Sequence, residues 1–167
     1  MNLHHLTIPV HRHIWKCFRP DGSLKWQESF DNLVMITGKN WYLQQGLVSA
    51  VTPLWYIGVV GTTSWTTGFL VGDTMPSHSG WVESISYSNP TRPQWVPGVV
   101  VDGTVSNVVS KASFTISIAD ALRSGFMVND SIKGGSIGTI LGGGDFSIIR
   151  GVTPGDTLNC TVYAIQL

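Results

Sequence analysis

Apolar and polar residues alternate through much of the chain, and the alternation predicts strands. Within residues 3–18, Leu6, Ile8 and Val10 share one side and Thr7, Pro9 and His11 the other. The pattern resumes in Ile14-Trp15-Lys16-Cys17-Phe18. Arg19-Pro20-Asp21-Gly22 follows as a turn, because Pro pre-sets φ and Gly accepts positive φ. Leu24, Trp26, Glu28 and Phe30 then alternate, which predicts a β-hairpin. Pro9 confines the start of the first strand to an edge, an early position or a bulge.

Asn32-Leu33-Val34-Met35-Ile36 predicts the start of a short strand. Leu43, Leu47, Ala50 and Val51 recur at helical spacing, widened by Trp41 and Val48. That predicts the chain's one helix, over about 38–51, with Thr37 as N-cap and Pro53 just past its end. Leu54-Trp55-Tyr56-Ile57-Gly58-Val59-Val60 reads as a strand buried on both faces. After a long, charge-poor loop over 61–80, Trp81, Glu83, Ile85 and Tyr87 alternate with Val82, Ser84 and Ser86. Residues 89–98, with three prolines, read as an extended connector.

Beyond Val99 the chain reads as β throughout. Ala112, Phe114, Ile116 and Ile118 face one way, with Ser113, Thr115 and Ser117 opposite. Residues 119–123 read as a helical turn or a bend into a strand at 125–128. Short strands are expected at 138–141 and 146–150, divided by Gly142-Gly143-Gly144-Asp145. A last strand alternates Leu158, Cys160, Val162 and Ala164 with Asn159, Thr161, Tyr163 and Ile165. Strands at this spacing predict an all-β protein, an antiparallel sandwich or jelly-roll-like domain with one short helix. A chain of 167 residues reads as a single domain, with 1–14 an N-terminal arm or edge strand.

Charge sharpens this picture. Charged residues make up only 12% of the chain, about half the usual ~25%, and balance to zero. That suits a surface packed against other subunits. It argues against nucleic acid, which needs a basic footprint. No apolar run reaches the roughly 18 residues of a membrane-spanning helix, and the N-terminus does not resemble a secretory signal. Synthesis in a cytoplasm is therefore expected, with Cys17 and Cys160 as buried thiols rather than a disulfide.

Candidate chemistry is sparse. Gly134-Gly135-Ser136-Ile137-Gly138 matches the nucleophile-elbow pattern, but the residues after it read as a strand where that motif needs a helix. Asp73, Ser77 and His78 are triad residue types, yet neighbours in one loop are better suited to bonding its backbone. His11 and His13 would share a strand face, with His4 and His5 near in sequence, but no Cys or carboxylate in this stretch completes a metal set, and they read as exposed or interfacial. The acidic pair Asp73 and Glu83 is a weak glycosidase candidate. Gly142-Gly143-Gly144 is not placed to cradle phosphate. No catalytic residue, metal site or cofactor is expected. Trp55 and Trp81 read as core and Trp65 and Trp95 as subunit contacts, with a sugar-stacking platform as the other reading of the four.

Several segments carry a family resemblance. They are Asp21-Gly22-Ser23-Leu24-Lys25-Trp26, Asn32-Leu33-Val34, Leu54 to Val60, Asp73-Thr74-Met75-Pro76-Ser77-His78-Ser79-Gly80-Trp81-Val82-Glu83, Tyr87-Ser88-Asn89-Pro90-Thr91-Arg92-Pro93, Lys133-Gly134-Gly135-Ser136-Ile137-Gly138 and Gly155-Asp156-Thr157-Leu158-Asn159. In this order they resemble a group of small virion structural proteins of tailed bacteriophages and prophages, labelled head or tail components. The resemblance runs from about residue 15 to the end and leaves 1–14 unmatched. It implies a non-enzymatic virion component, most simply a capsid decoration (cement) protein, made in the bacterial host cytoplasm and held in the particle. Its implied partners are the major capsid protein or other virion proteins and further copies of itself, with no nucleic acid and no membrane. The alternative is a tail-associated or fibre module that binds host-surface glycan. The expected contact residues are Trp65, Met75, His78, Arg92 and Trp95.

Overall fold

The computed structural model describes residues 10–44 and 53–165. Its strands are β1 (Val10–Phe18), β2 (Leu24–Asp31), β3 (Leu33–Val34), β4 (Trp55–Gly61), β5 (Gln94–Trp95), β6 (Thr104–Ser106), β7 (Ala112–Thr115), β8 (Asp120–Val128), β9 (Ile140–Val152) and β10 (Thr157–Ile165). The helix is α1 (Ile36–Leu43). The fold is all-β: among the described residues there are two antiparallel sheets, consistent with a sandwich, and one short helix. One sheet runs β2-β1-β10-β6, with β7 also paired to β10; the other runs β3-β9-β8-β4-β5.

The first hairpin forms as the alternation predicts. Gly22 takes φ +82°, its N–H donates to the Arg19 carbonyl, and Asp21 accepts from the Ser23 N–H. β1 then pairs β2 on one side and β10 on the other, from Val10↔Ile165 to Phe18↔Thr157. Because side chains alternate along a strand, His11, His13, Trp15 and Cys17 all face inward. Trp15 meets Phe146 of the second sheet edge-on at 5.6 Å.

β10 changes partners part-way, from β7 at 157–160 to β6 at 163–165. The Asn107 carboxamide fills the gap: it accepts from the Val162 N–H at 2.7 Å and donates to the Cys160 carbonyl at 3.2 Å. A buried side chain thus replaces a missing strand.

The second sheet is buried on both faces. Trp55, Ile57, Val59 and Leu122 meet the first sheet. On the reverse face Val60, Phe126, Val128 and Ile140 pack under Met35, Phe69, Met75 and Trp81. The long loop over 61–80 is thus a third layer. β4 is buried on both faces, as read from sequence.

Four local expectations are corrected. α1 begins at Ile36, and Thr37 is no cap: its hydroxyl donates to the Ile140 carbonyl, which ties the helix to β9. Residues 45–51 of the expected helix lie outside the described residues. Residues 81–87 pair with β4 only at the Val60↔Glu83 bridge, and the polarity reverses over 84–86: Ser84 and Ser86 are buried while Ile85 is exposed. The reason is Asp120, whose Oδ2 accepts from both serine hydroxyls, at 2.5 and 2.8 Å. Residues 120–123, read as a helical turn or a bend, belong to β8, and Ile118 is exposed rather than aligned with Phe114.

The fourth correction concerns glycines. Gly142, Gly143 and Gly144 do not break a strand but lie inside the 13-residue β9. A Cβ on Gly143 would enter the Phe69 ring and one on Gly144 the Phe30 ring; on β8, Gly125 lies likewise under Trp15. These glycines are steric seats for aromatic rings. Gly125→Ala is therefore expected to destabilise the fold by about 1–3 kcal/mol through overpacking. An unchanged urea midpoint for that variant would show that the Trp15 ring has room to move.

Candidate interaction face

Arg92 organises the region where the quoted motifs meet. Its side chain is fully buried. Nε and Nη2 donate to the two oxygens of Glu83, at 2.9 and 2.7 Å, in a bidentate pair. Nη1 donates to the carbonyl and carboxylate of Asp130, and Nη2 also reaches the Gly135 carbonyl at 3.0 Å. The Arg92 N–H donates to Ser131, and Glu83 also accepts from the Gly134 N–H. The guanidinium stands 5.6 Å from the centre of the Phe126 ring. One cation thus fastens the loops around 83, 92 and 130–135.

The 61–80 loop is fastened through Trp81. Asp73 Oδ2 accepts from the Trp81 indole at 2.9 Å and from the Leu70 N–H. The His78 ring stacks on Trp81 at 3.7 Å and Nδ1 bonds the Trp81 carbonyl. Asp73 and His78 therefore bond Trp81 rather than each other, and Ser77 pairs its backbone with Thr74. Ser136 lies in an irregular loop before β9, without the strand–turn–helix context of a nucleophile elbow.

The expected contact residues need correction on the same grounds. Met75, Arg92 and Trp95 are buried within the chain, because each is held by the loop layer or the sandwich it helps close. His78 is half-buried on Trp81, and Trp65 is half-buried with the Arg123 guanidinium 4.6 Å above its ring. With Trp55, Trp81 and Trp95 all buried, the four tryptophans form no open platform.

His11 and His13 are also corrected, from surface to interior. His11 bonds the Tyr42 hydroxyl through Nε2 at 2.5 Å and the Asn32 amide through Nδ1 at 3.1 Å. His13 stacks on Phe30 at 4.9 Å, with Trp15 beyond at 6.5 Å, and neither ring nitrogen has a partner among the described residues. Burial lowers His11 to about 4; burial, with the neighbouring His11, lowers His13 to about 3. Both are neutral at pH 7. Cys17 and Cys160 are buried free thiols, and burial together with nearby Asp156 raises Cys17 to about 12.

Other charges are also consumed inside the fold. Glu28 accepts from Ser147 and Arg150; burial alone would raise its carboxyl, but these bonds hold it below the ordinary value. Asp156 is buried too, and Lys25 at 2.5 Å and Thr153 hold it low in the same way. Of the ten acidic side chains only Asp21, Asp31 and Asp102 are exposed; of the ten basic ones, only Arg12, Lys16, Arg19 and Lys111.

Exposed aliphatic side chains far outnumber these charges. Ile85, Ile132 and Ile137 surround the Arg92 loops. A second group rides on a finger over 98–106, whose tight turn has positive φ at Asp102 and Gly103 and reciprocal backbone bonds between Val101 and Thr104. Val99, Val100 and Val101 on it are 86%, 66% and 61% exposed. Beside the finger a recess of about 500 Å³ opens between the sheets, lined by Trp41, Leu54, Trp55, Trp95, Val105 and others, with no Asp, Glu, Lys or Arg in its wall.

No protein-family model matches this chain, and no curated protein matches it.

Proposed function

We propose that the chain is a non-enzymatic structural component of a tailed-phage virion, a capsid decoration protein that stabilises the shell by burying uncharged surface against capsid subunits and copies of itself. One observation carries the reading beyond the motif resemblance. The few charged residues are largely taken up inside the fold, which leaves an aliphatic finger and an apolar recess exposed side by side. Exposed apolar surface of this kind marks an interaction site in a folded protein. Association then adds stability by mass action, in proportion to how much of the face is occupied.

The experiment is to image purified particles carrying the labelled protein. Label over the shell supports decoration; label confined to the tail overturns it. Val99→Asp with Val100→Asp supplies the residue-level check. Both side chains are exposed, so the melting temperature should stay within about 2 °C. Occupancy on the particle should fall by about tenfold or more, because a contact would bury two unpaired carboxylates. Normal occupancy of the double variant would remove the finger from the interface.

A further inference from the structure

We infer that the outer face of the first sheet, over β1, β10 and the approach to β7, carries a binding groove for an acidic saccharide unit, a sugar bearing a carboxylate or phosphate. The groove lies on the opposite side of the sheet from the core and does not depend on where the protein sits in a particle.

The placement follows from register. Inward residues of β1 are His11, His13, Trp15 and Cys17, so Ile14, Lys16 and Phe18 point outward. β10 presents Asn159, Thr161 and Tyr163 on the same side. Pairing sets Lys16 beside Asn159 and Ile14 beside Thr161. On the other flank Ala112 pairs Cys160, which brings Lys111 alongside Thr161. These side chains and Val108 enclose about 230 Å³.

The chemistry is selective. Of the four exposed basic residues, Arg12 is paired to Asp31 and Arg19 bonds Ser23 and the Leu24 carbonyl. Lys16 and Lys111 form no ion pair among the described residues, and both line this groove. No carboxylate lines it. In a chain of zero net charge, two free ammonium groups over one hollow make a local positive site. Asn159, Thr161 and Tyr163 add an amide, a hydroxyl and a phenol, none engaged by its side chain with other described residues. Those groups suit sugar hydroxyls, while Ile14, Phe18 and Val108 give an apolar floor for the C–H face of a ring. Neutral hydrogen-bonding groups between two cations fit a hydroxylated body with one anionic group better than a bare ion.

The test is titration of the full chain, isotopically labelled, with glucuronate, glucose 6-phosphate and glucose, followed by amide chemical shifts. The anionic sugars should shift amides over 14–18 and 159–163, with dissociation constants on the order of millimolar. The stronger of the two identifies the preferred anion. Added salt should weaken both, since the lysines are exposed. Lys16→Ala and Lys111→Ala should each weaken binding by about tenfold, the scale of one charge-assisted hydrogen bond. Both lysines are exposed, so neither change should alter the melting temperature. Groove shifts of equal size with glucose, unchanged affinity in the double variant, or anion-induced shifts only elsewhere would each overturn the assignment.

Discussion

Arg92→Met should remove about 3–5 kcal/mol of folding stability, the range for breaking a buried ion pair from one side. The substitution leaves the Glu83 carboxylate, already 95% buried, with only the Gly134 N–H of its former partners, and strips the Asp130 and Gly135 carbonyls of theirs. For a chain of this length the loss amounts to a melting point lower by roughly 10 °C. Arg92→Lys should fare little better. A single ammonium cannot span the two Glu83 oxygens and reach Asp130 and Gly135 together. The cause can be isolated by adding Glu83→Gln. If an uncompensated carboxylate dominates the loss, the double variant will be more stable than the two single effects sum to. A urea midpoint for Arg92→Met within 1 kcal/mol of the parent, by the usual conversion, would mean that the loops hold without the cation.

The second large effect is acid sensitivity well above the range where carboxylates titrate. His11 and His13 have folded values near 4 and 3, against about 6.5 when unfolded. Between those values the unfolded chain binds more protons, so stability falls as pH falls below about 6.5. The slope approaches about 1.4 kcal/mol per pH unit for each histidine. By pH 5 the pair removes about 4 kcal/mol, a large share of a typical 5–15 kcal/mol total. Below pH 4, Glu28 and Asp156, held low in the fold, add their own losses, while Asp145, raised by burial, opposes them. Urea titrations at pH 7, 6 and 5 read this directly. His13→Phe keeps the ring stack with Phe30 and should halve the slope. Equal stability at pH 7 and pH 5 in the parent chain would refute the account.

Much of the sandwich was legible in the sequence, because period-2 alternation and turn residues are local signals. The β1–β2 hairpin and the core face of β10 follow from them directly. What stayed hidden depends on partners distant in the chain. Ser84 and Ser86 look outward by residue type, yet Asp120 draws them in. His11 and His13 look like surface residues, although their phase with Trp15 and Cys17 already places them inside. Gly142 to Gly144 read as punctuation because what requires them lies on other elements: the Asn32 amide and Leu33 carbonyl over Gly142, the Phe69 ring over Gly143 and the Phe30 ring over Gly144. Arg92 reads from sequence as an outside contact, because nothing local to Pro90-Thr91-Arg92-Pro93 says that its partners are Glu83 and Asp130. The Lys16–Lys111 groove was invisible for the same reason: its two cations lie 95 positions apart, and only the register of β10 unites them.

That register also bears on how the protein is made. β10 is the last strand of the fold, yet it sits in the middle of its sheet, bonded to β1 on one side and to β6 and β7 on the other. During vectorial synthesis the β1–β2 hairpin emerges first, with Trp15, Cys17 and Trp26 on its inner face. Among the described residues, β1 gains its second strand partner only when residues 157–165 leave the ribosome. At ~5–20 residues per second the hairpin waits several seconds with an apolar face uncovered. The nascent chain is therefore a natural client for a chaperone, and the emergence of β10, rather than collapse, sets when the sandwich can close.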